Sequence, residues 1–198
     1  MSLLAMVAAG MWFRTHHAST FKIPLPLAGA PWVAIGDSLT AGYGAEAQEA
    51  YPSVLGELLG VEVKNLGVNG ATSRDGLDRI EDALNLRPGV ALLCLGGNDG
   101  LQQMQAHRMF ANLEAIIDRL HERGTFVVLI GVHSASLWDR NEKGFAKLAK
   151  QKKVLYVPDI LSGVLREPDL MADAVHPNAR GYRVIAERLA RVLRPYLN

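Results

Sequence analysis

Short runs of apolar residues alternate with longer amphipathic stretches along most of this chain. The short runs are rich in Val, Leu and Ile, which is typical of strands buried on both faces of a parallel sheet. The longer stretches repeat apolar residues three and four positions apart, which is typical of helices with one face on a core. Because the two kinds of segment alternate, the pattern predicts βαβ units and a sheet with helices on both faces.

Five strands are predicted from the apolar runs, at residues 32–35, 61–66, 90–95, 125–130 and 154–157. Helices are predicted at residues 51–59, 73–86 and about 105–123, and Pro177 opens a last one. Gly60 and Gly124 follow two of these helices, and glycine readily adopts the left-handed conformation that ends a helix. The predicted fold is a three-layer α/β/α sandwich with a central parallel sheet of about five strands.

Residues 1–31 form an apolar segment and a Pro-punctuated linker ahead of the first strand. Residues 3–13 are almost wholly apolar but too short to span a bilayer. A signal peptide has its charge before the apolar stretch, whereas Arg14 follows it here. Two interpretations stay open: the remnant of a membrane anchor, or an amphipathic helix that packs on the domain. We expect a periplasmic or envelope location slightly more than a cytoplasmic one, and residues 32–198 as the functional domain.

Composition places the chain among ordinary globular proteins, with 49% hydrophobic and 21% charged residues in a length of 198. Lys and Arg number 21 against 20 Asp and Glu, and the short basic clusters lack aromatic neighbours. Nucleic acid is therefore not an expected partner. Cys94 is the single cysteine, so no internal disulfide forms. No spacing of His, Cys, Asp and Glu is typical of a metal site.

Ligands bind parallel sheets at the carboxyl ends of the strands, so candidate chemistry is expected after strands. The sequence Gly36-Asp37-Ser38-Leu39 follows the first predicted strand. A serine at such a turn has its hydroxyl at the sheet edge, close to backbone N–H groups that favour negative charge. Taken alone, Asp and Ser at this position are equally well explained as a helix cap.

Glycine-rich turns follow the next two predicted strands. One contains Gly67 and Gly70, which allow the backbone to turn sharply and approach a ligand. The other is Gly96-Gly97-Asn98-Asp99, whose amide side chain can direct an N–H donor over the sheet. Each turn by itself has an ordinary structural explanation, because Gly and Asn are common turn residues.

The sequence Asp173-Ala174-Val175-His176-Pro177 carries the most informative spacing in the chain. An Asp three residues before a His can fold back through one turn and place its carboxylate on Nδ1–H. The other ring nitrogen is then available to accept a proton. Because Pro177 favours the first turn of a helix, we expect His176 to occupy a cap position.

The four segments described above, which we call the four blocks, are Gly36-Asp37-Ser38-Leu39, the Gly70 turn, Gly96-Gly97-Asn98-Asp99 and the Asp173–Pro177 segment. Together they resemble the sequence blocks of the GDSL or SGNH hydrolase family. Within that family the chain is similar to small bacterial arylesterases, thioesterases and lysophospholipases, over about residues 32–198. The resemblance implies the flavodoxin-like fold of the family. It also implies that Ser38 attacks the acyl carbonyl, that His176 takes the serine proton, and that Asp173 orients the imidazole. The family's chemistry uses no metal, and no cofactor is expected.

The resemblance further implies an oxyanion hole, which is a set of donors for the negative oxygen of the tetrahedral intermediate. Its members are the backbone N–H groups of Ser38 and Gly70 and the side-chain amide of Asn98. Asp37 and Asp99 match the family blocks as well, and we interpret them as residues that brace loops.

The expected function is that of a serine esterase acting on short-acyl, aryl or lysophospholipid-type esters or on thioesters, with a small acyl ester as its partner. Two alternatives stay open: a deacetylase or acyltransferase acting on cell-envelope glycans, and a non-catalytic binding module. The second is disfavoured, because a binding module has no use for the combination of Ser38, His176 and Asp173. In the loop after the fourth strand, His133 and Trp138 are candidate substrate-binding residues. The alternatives are an ordinary loop histidine and a tryptophan on an apolar lid.

Overall fold

A computed structural model of the chain describes residues 30–132 and 138–197, apart from the side chains of residues 138–140. Nearly all of the N-terminal segment, residues 1–29, lies outside the described residues, and so does His133. Trp138 is described only as the first residue of a helix. The assignment of His133 and Trp138 to a substrate pocket therefore stays a prediction.

Within the described residues, five parallel strands form one sheet in the order β2-β1-β3-β4-β5. They are Trp32–Gly36 (β1), Val63–Asn65 (β2), Val90–Cys94 (β3), Phe126–Ile130 (β4) and Leu155–Val157 (β5). The prediction of a central parallel sheet is confirmed. β2 is shorter than the predicted 61–66 because it is an edge strand that pairs only with β1, and Lys64 and Asn65 on it are exposed.

Eight α-helices lie in the described part of the chain. They are Ser38–Ala41 (α1), Tyr51–Leu59 (α2), Ser73–Asp78 (α3), Ile80–Leu84 (α4), Gly97–Leu101 (α5), Ala106–Glu122 (α6), Trp138–Lys152 (α7) and Ala179–Leu193 (α8). Single 3₁₀ turns are found at Ala47–Glu49, Pro168–Leu170 and Arg194–Tyr196.

The prediction of a single helix over residues 73–86 is wrong, because the chain forms two short helices that meet at Arg79. There the backbone leaves helical values, with φ −105° and ψ 10°. Ile80, Ala83 and Leu84 are buried after the break. The apolar pattern continues across Arg79, and no proline marks the position. Periodicity alone therefore could not reveal the division.

Alternate residues of the central strands face two apolar clusters on opposite sides of the sheet. In β1, Trp32 contributes to a cluster that includes residues of α2 and α8, whereas Val33 contributes to a cluster that includes residues of α6. Fully burying a Val, Leu or Ile side chain stabilises a fold by roughly 1.5–3 kcal/mol. Two such layers hold the strand ends, and the loops that follow them, in fixed positions.

The strand order creates a point where the direction of the chain reverses. From β1 the chain goes to β2 on one side, and it then returns past β1 to β3 on the other side. In α/β sheets, ligands bind at this kind of switch point, outside the carboxyl ends of the strands. Ser38 follows β1 and Asn98 follows β3, so both residues lie at the switch point.

Candidate active site

Ser38 is the first residue of α1, directly after the turn that ends β1. The Asp37 carboxylate caps this one-turn helix by accepting the backbone N–H of Leu39 at 3.0 Å. Gly42 ends the helix in the left-handed conformation, with φ 89°. Both ends of α1 are therefore fixed, and the Ser38 side chain is held at the carboxyl edge of the sheet.

Gly36 makes this turn possible. A Cβ atom at Gly36 would lie 2.0 Å from Thr40 Oγ1 and 2.7 Å from the carbonyl oxygen of Cys94. These distances are far below van der Waals contact, so no larger residue fits without moving the backbone. The close packing of β1 on β3 thus depends on a glycine two positions before the candidate nucleophile.

The hydroxyl of Ser38, the imidazole of His176 and the carboxylate of Asp173 form one hydrogen-bonded chain. Ser38 Oγ lies 3.0 Å from His176 Nε2, and His176 Nδ1 lies 2.8 Å from Asp173 Oδ2. Ser38 and His176 are 138 positions apart in the sequence, so tertiary structure alone brings them together. This arrangement allows a hydroxyl to pass its proton to an imidazole.

The Asp173 carboxylate is held within its own tight turn. Its Oδ1 accepts the backbone N–H groups of Val175 and His176, both at 2.8 Å. The Val175 N–H, followed by the His176 side chain, lowers the pKa of Asp173 to about 2. Because an ionised carboxylate can only accept hydrogen bonds, Nδ1 of His176 must carry the proton it shares with Asp173. Nε2 is then the nitrogen that can accept the Ser38 proton.

His176 does not occupy a helix cap, and this prediction is wrong. α8 begins at Ala179, and its N-cap is Asn178, whose side-chain oxygen accepts two backbone N–H groups of the first turn. Asn supplies the acceptor that Pro lacks, which explains the later start. Pro177 instead forms an antiparallel bridge with Met171. The loop contacts of His176, rather than the end of α8, therefore fix its position.

One of these loop contacts is the ring of Tyr43, whose centroid lies 4.5 Å from that of the His176 imidazole. The carbonyl oxygen of Tyr43 accepts the hydroxyl of buried Tyr182 on α8 at 2.8 Å. At the next residue, Gly44, a Cβ atom would lie 2.7 Å from the Ala172 Cβ. The turn after α1 is thus packed directly on the loop that carries His176. Nothing local in the sequence marks Tyr43 for this position.

Gly70 lies on the loop after β2 and Asn98 lies in α5, and the two meet at the same edge of the sheet. Gly70 has φ 78°, and no atom lies within 4 Å of the place where its Cβ would be. Asn98 lines one pocket together with Ser38 and His176. Its Nδ2 donates to the carbonyl oxygen of Ala71 at 3.0 Å, which joins the loop after β2 to α5.

Asp99, also in α5, connects this helix to the start of α3, and it is buried. Its carboxylate accepts the backbone N–H of Ser73 at 2.8 Å and the Ser73 hydroxyl at 2.5 Å. Ser73 Oγ in turn accepts from Asn112 Nδ2 on α6 at 3.0 Å. A buried carboxylate is costly unless it is hydrogen-bonded, and these contacts satisfy it while fixing the start of α3.

Asp37 is the second buried carboxylate at the site, with 3% of its surface exposed. Burial raises the pKa of Asp37 to about 6, although the Leu39 N–H and the nearby His176 act in the opposite direction. The Oδ2 atom of Asp37 lies 3.3 Å from Asn98 Nδ2. The residue thus contacts both α1 and the amide side chain that follows β3.

A pocket of about 190 Å³ opens beside Ser38 and His176. Its apolar walls are formed by Leu39, Leu101, Val132, Leu161, Leu165, Ala174 and Val175. Nothing in the sequence pattern predicted these residues as pocket residues. Leu161 and Leu165, for example, lie in the irregular segment after β5. No apolar period there predicts where a side chain points, so only the fold shows that these two residues face the site.

None of the helices in residues 30–132 and 138–197 has the length and apolar character needed to cross a membrane. In the same ranges, no group of three or more His, Cys, Asp or Glu side chains is arranged to hold a metal ion.

Comparisons with known proteins identify the family of this chain. Residues 34–184 match the model of the GDSL-like Lipase/Acylhydrolase family. The chain is 31% identical to thioesterase 1/protease 1/lysophospholipase L1 of Escherichia coli (strain K12), over 94% of this chain and 95% of that protein. It is 30% identical to an arylesterase of Vibrio mimicus, over 82% of this chain and 88% of that protein.

Among solved structures, the crystal structure of TesA superimposes with a TM-score of 0.78 at 26% sequence identity, covering 84% of this chain and 99% of that one. The family match includes Ser38 and Asn98 and extends past His176. The relatives are esterases, thioesterases and lysophospholipases by name. The chain therefore belongs to the GDSL-like lipase/acylhydrolase family and is a carboxylic ester hydrolase.

Proposed function

We propose that Ser38, His176 and Asp173 hydrolyse carboxylic esters or thioesters through an acyl-enzyme intermediate. The observation that carries this proposal is the 3.0 Å distance between Ser38 Oγ and His176 Nε2. A serine hydroxyl is a weak nucleophile until a neighbouring base accepts its proton. The ionised Asp173 keeps the proton of His176 on Nδ1, so Nε2 is that base.

The reaction has two steps. Ser38 Oγ attacks the acyl carbonyl carbon while its proton moves to His176 Nε2. The tetrahedral intermediate then collapses, the bond to the alcohol or thiol breaks, and His176 returns the proton to the leaving group. In the second step, water gives a proton to His176 and attacks the acyl-Ser38 ester. The bond between the acyl carbon and Ser38 Oγ then breaks while His176 returns the proton to Oγ, which releases the carboxylic acid and the free enzyme.

Negative charge develops on the carbonyl oxygen in both steps. The proposed donors to this oxyanion are the backbone N–H groups of Ser38 and Gly70 and the Nδ2 group of Asn98. Three features support this assignment: Ser38 starts a helix, the surroundings of Gly70 are open, and Asn98 lines the same pocket as Ser38. Removing one such donor typically slows the reaction by roughly 10² to 10³.

The pocket beside Ser38 favours an apolar acyl or aryl group, because its walls are aliphatic. The charged groups near the nucleophile, Asp37, Asp173 and His176, are all engaged in contacts with the protein. We therefore propose esters and thioesters with an uncharged, apolar acyl or aryl group as the substrate class. The name of the E. coli relative includes both thioesterase and lysophospholipase, and both substrate types belong in the test.

The test compares wild type with Ser38→Ala on a panel of p-nitrophenyl esters, acyl-CoA thioesters, lysophospholipid and an acetylated saccharide. We expect hydrolysis of at least one ester or thioester by wild type and a loss of roughly 10⁶-fold in Ser38→Ala, as in other serine hydrolases that lose their nucleophile. A fluorophosphonate probe should label wild type and leave Ser38→Ala unlabelled.

Ser53→Ala is the matched control, because the Ser53 hydroxyl only bonds the carbonyl oxygen of Ala47 and lies outside the site. It should keep wild-type activity and labelling. Undiminished turnover or labelling in Ser38→Ala would overturn the proposal.

A further inference from the structure

The side-chain amide of Asn98 has a protein acceptor for each of its two N–H groups. Its Nδ2 lies 3.0 Å from the carbonyl oxygen of Ala71 and 3.3 Å from Oδ2 of Asp37. A flip of the amide would exchange its oxygen and nitrogen. Each acceptor oxygen would then face the amide oxygen and repel it, so the flipped orientation is unfavourable. The orientation of the amide, with Nδ2 and not the oxygen towards Ala71 and Asp37, is therefore imposed by two neighbours on two different loops.

Asp37 is itself rigidly held. Its Oδ1 accepts the Leu39 N–H at 3.0 Å, which leaves Oδ2 as the atom that faces Asn98. Asp37 is 3% exposed, whereas Asn98 is half-buried and lines the pocket beside Ser38. Gly97 closes in from the other side, since a Cβ atom there would lie 3.3 Å from Asp37 Oδ2. The carboxylate thus has one position available to it.

We propose that Asp37 is a positioning residue that holds the Asn98 side-chain amide in the orientation needed to stabilise the oxyanion. The inference rests on the proposed role of Asn98 as an oxyanion donor. It adds to that role a dependence on the residue before the nucleophile, which acts through Asn98 and does not touch the reacting atoms.

The two acceptors of Asn98 have different parts in this arrangement. The shorter bond to Ala71, at 3.0 Å, anchors the amide. The longer contact to Asp37 is the weaker of the two, so its N–H group is the one that an oxyanion can share or take over. Asp37 therefore keeps the second N–H group in a fixed direction, and an oxyanion can share this group without movement of the amide.

Asp37→Asn distinguishes this role from a capping role. The new amide oxygen can still accept the Leu39 N–H, so the cap of α1 is kept. The new NH₂ group then faces the NH₂ group of Asn98, and two donors cannot satisfy each other. Asn98 has to move, whereas Ser38 keeps its place at the start of α1.

The first test is a double-mutant cycle with Asp37→Asn and Asn98→Ala, with kcat and KM measured on the best ester of the panel. We expect Asp37→Asn to lower kcat by about 10- to 100-fold, somewhat less than full removal of an oxyanion donor. KM should change little, because the oxyanion contact is made only in the transition state. In the Asn98→Ala background, Asp37→Asn should lower kcat by no more than about twofold.

Equal losses in the two backgrounds would overturn the inference, because they would mean that Asp37 acts on Ser38 through the helix cap alone. Glu49→Gln is the matched control. Its carboxylate accepts the Glu46 N–H at the start of a 3₁₀ turn and makes no contact with Asn98. This variant should keep the wild-type kcat and KM, and the melting temperatures of all variants show whether each is folded.

The second test needs no turnover. In ¹⁵N-labelled protein, the Asn98 side-chain amide is assigned by its absence in Asn98→Ala. We expect its proton shift to titrate in wild type and in Glu49→Gln with a midpoint near pH 6, the pKa of Asp37. The same resonance should be flat in Asp37→Asn.

The other titratable groups that interact with Asp37 are His176, Asp99, Tyr51, Cys94 and Tyr182. A titration that persisted in Asp37→Asn would belong to one of them and would overturn the inference. If Ser38→Ala kept its activity, the proposed function would fail, but the resonance would still report whether Asp37 orients Asn98. The two failures are therefore distinguishable.

Discussion

Several side chains at this site are held by hydrogen bonds to two different segments of the chain, and Asn98 is the clearest case. Its amide joins the loop after β2, through Ala71, to the residue before the nucleophile, Asp37. Preorganised donors of this kind need no rearrangement when charge develops, which is the reason they contribute strongly to catalysis. The contribution of Asn98 should therefore appear in the rate of the chemical step.

Replacement of Asn98 by Ala should lower kcat by about 10² to 10³, equivalent to roughly 2.7–4 kcal/mol of transition-state stabilisation. KM should stay within about threefold of wild type, because the lost bond forms only in the transition state. Steady-state kinetics on one ester provides the measurement. A fall in kcat of less than threefold would show that Asn98 is not an oxyanion donor.

Residue spacing predicted some of these contacts and not others. Asp173 and His176 are three positions apart, so a single turn brings their side chains together, and the sequence pattern indicates the pair directly. Asp37 and Asn98 are 61 positions apart, and their contact exists only because β1 and β3 are neighbours in the sheet. The sequence therefore suggested Asp37 as a loop residue without revealing its partner.

At the scale of elements, the loop that carries His176 is held by the turn after α1 and by α8. Tyr182 joins them, since its buried hydroxyl donates to the Tyr43 carbonyl oxygen while the Tyr43 ring packs on His176. This hydroxyl is the polar link between the α8 helix and the serine side of the site. Its removal should affect stability and catalysis together.

We expect Tyr182→Phe to lower the free energy of unfolding by about 1–2 kcal/mol, the usual cost of leaving a buried acceptor without its donor. A severalfold fall in kcat should accompany it, because the loop carrying His176 loses part of its support. Denaturant unfolding and ester kinetics measure the two effects. Tyr156→Phe is the control, because its hydroxyl makes only a 3.4 Å contact with the Pro158 carbonyl oxygen; equal effects in both variants would contradict the prediction.

Elements were predicted well where burial is continuous and poorly where helices begin and end. The strands β1, β3 and β4 are buried along nearly their whole length, so their apolar runs stand out. The start of α8 depends on which side chain can accept N–H groups, and Asn178 does this in place of Pro177. The division at Arg79 has no marker in the sequence, because both helices continue one apolar face.

At the scale of the whole molecule, two carboxylates make stability depend on pH in opposite directions. Burial raises the pKa of Asp37 to about 6, so the folded state favours its neutral form. The Val175 N–H and His176 lower the pKa of Asp173 to about 2, so the folded state favours its charged form. The contribution of Asp173 is therefore present above about pH 4 and is lost as the pH falls towards 2. It should be modest, because this side chain is 44% exposed.

The contribution of Asp37 is full below its ordinary pKa of 3.8 and is lost as the pH rises through about 6. The unfolding free energy of wild type relative to Asp37→Asn should thus fall between pH 4 and pH 7, by about 3 kcal/mol at 1.36 kcal/mol per pKa unit. Urea unfolding at several pH values measures it. A difference that stayed constant across this range would show that Asp37 titrates normally.

The sequence by itself determined the layered fold and the Asp173–His176 pair, because alternating apolar periods and one-turn spacings are local properties of a chain. The resemblance of its four blocks to those of the family also implied that Ser38, Gly70 and Asn98 belong to a single site, which stays a prediction. Only the tertiary structure decided the distance from Ser38 to His176, the contact of Asp37 with Asn98, and the packing of Tyr43 on the imidazole. These depend on which strands are neighbours, and buried strands with similar apolar runs do not encode their order in the sheet.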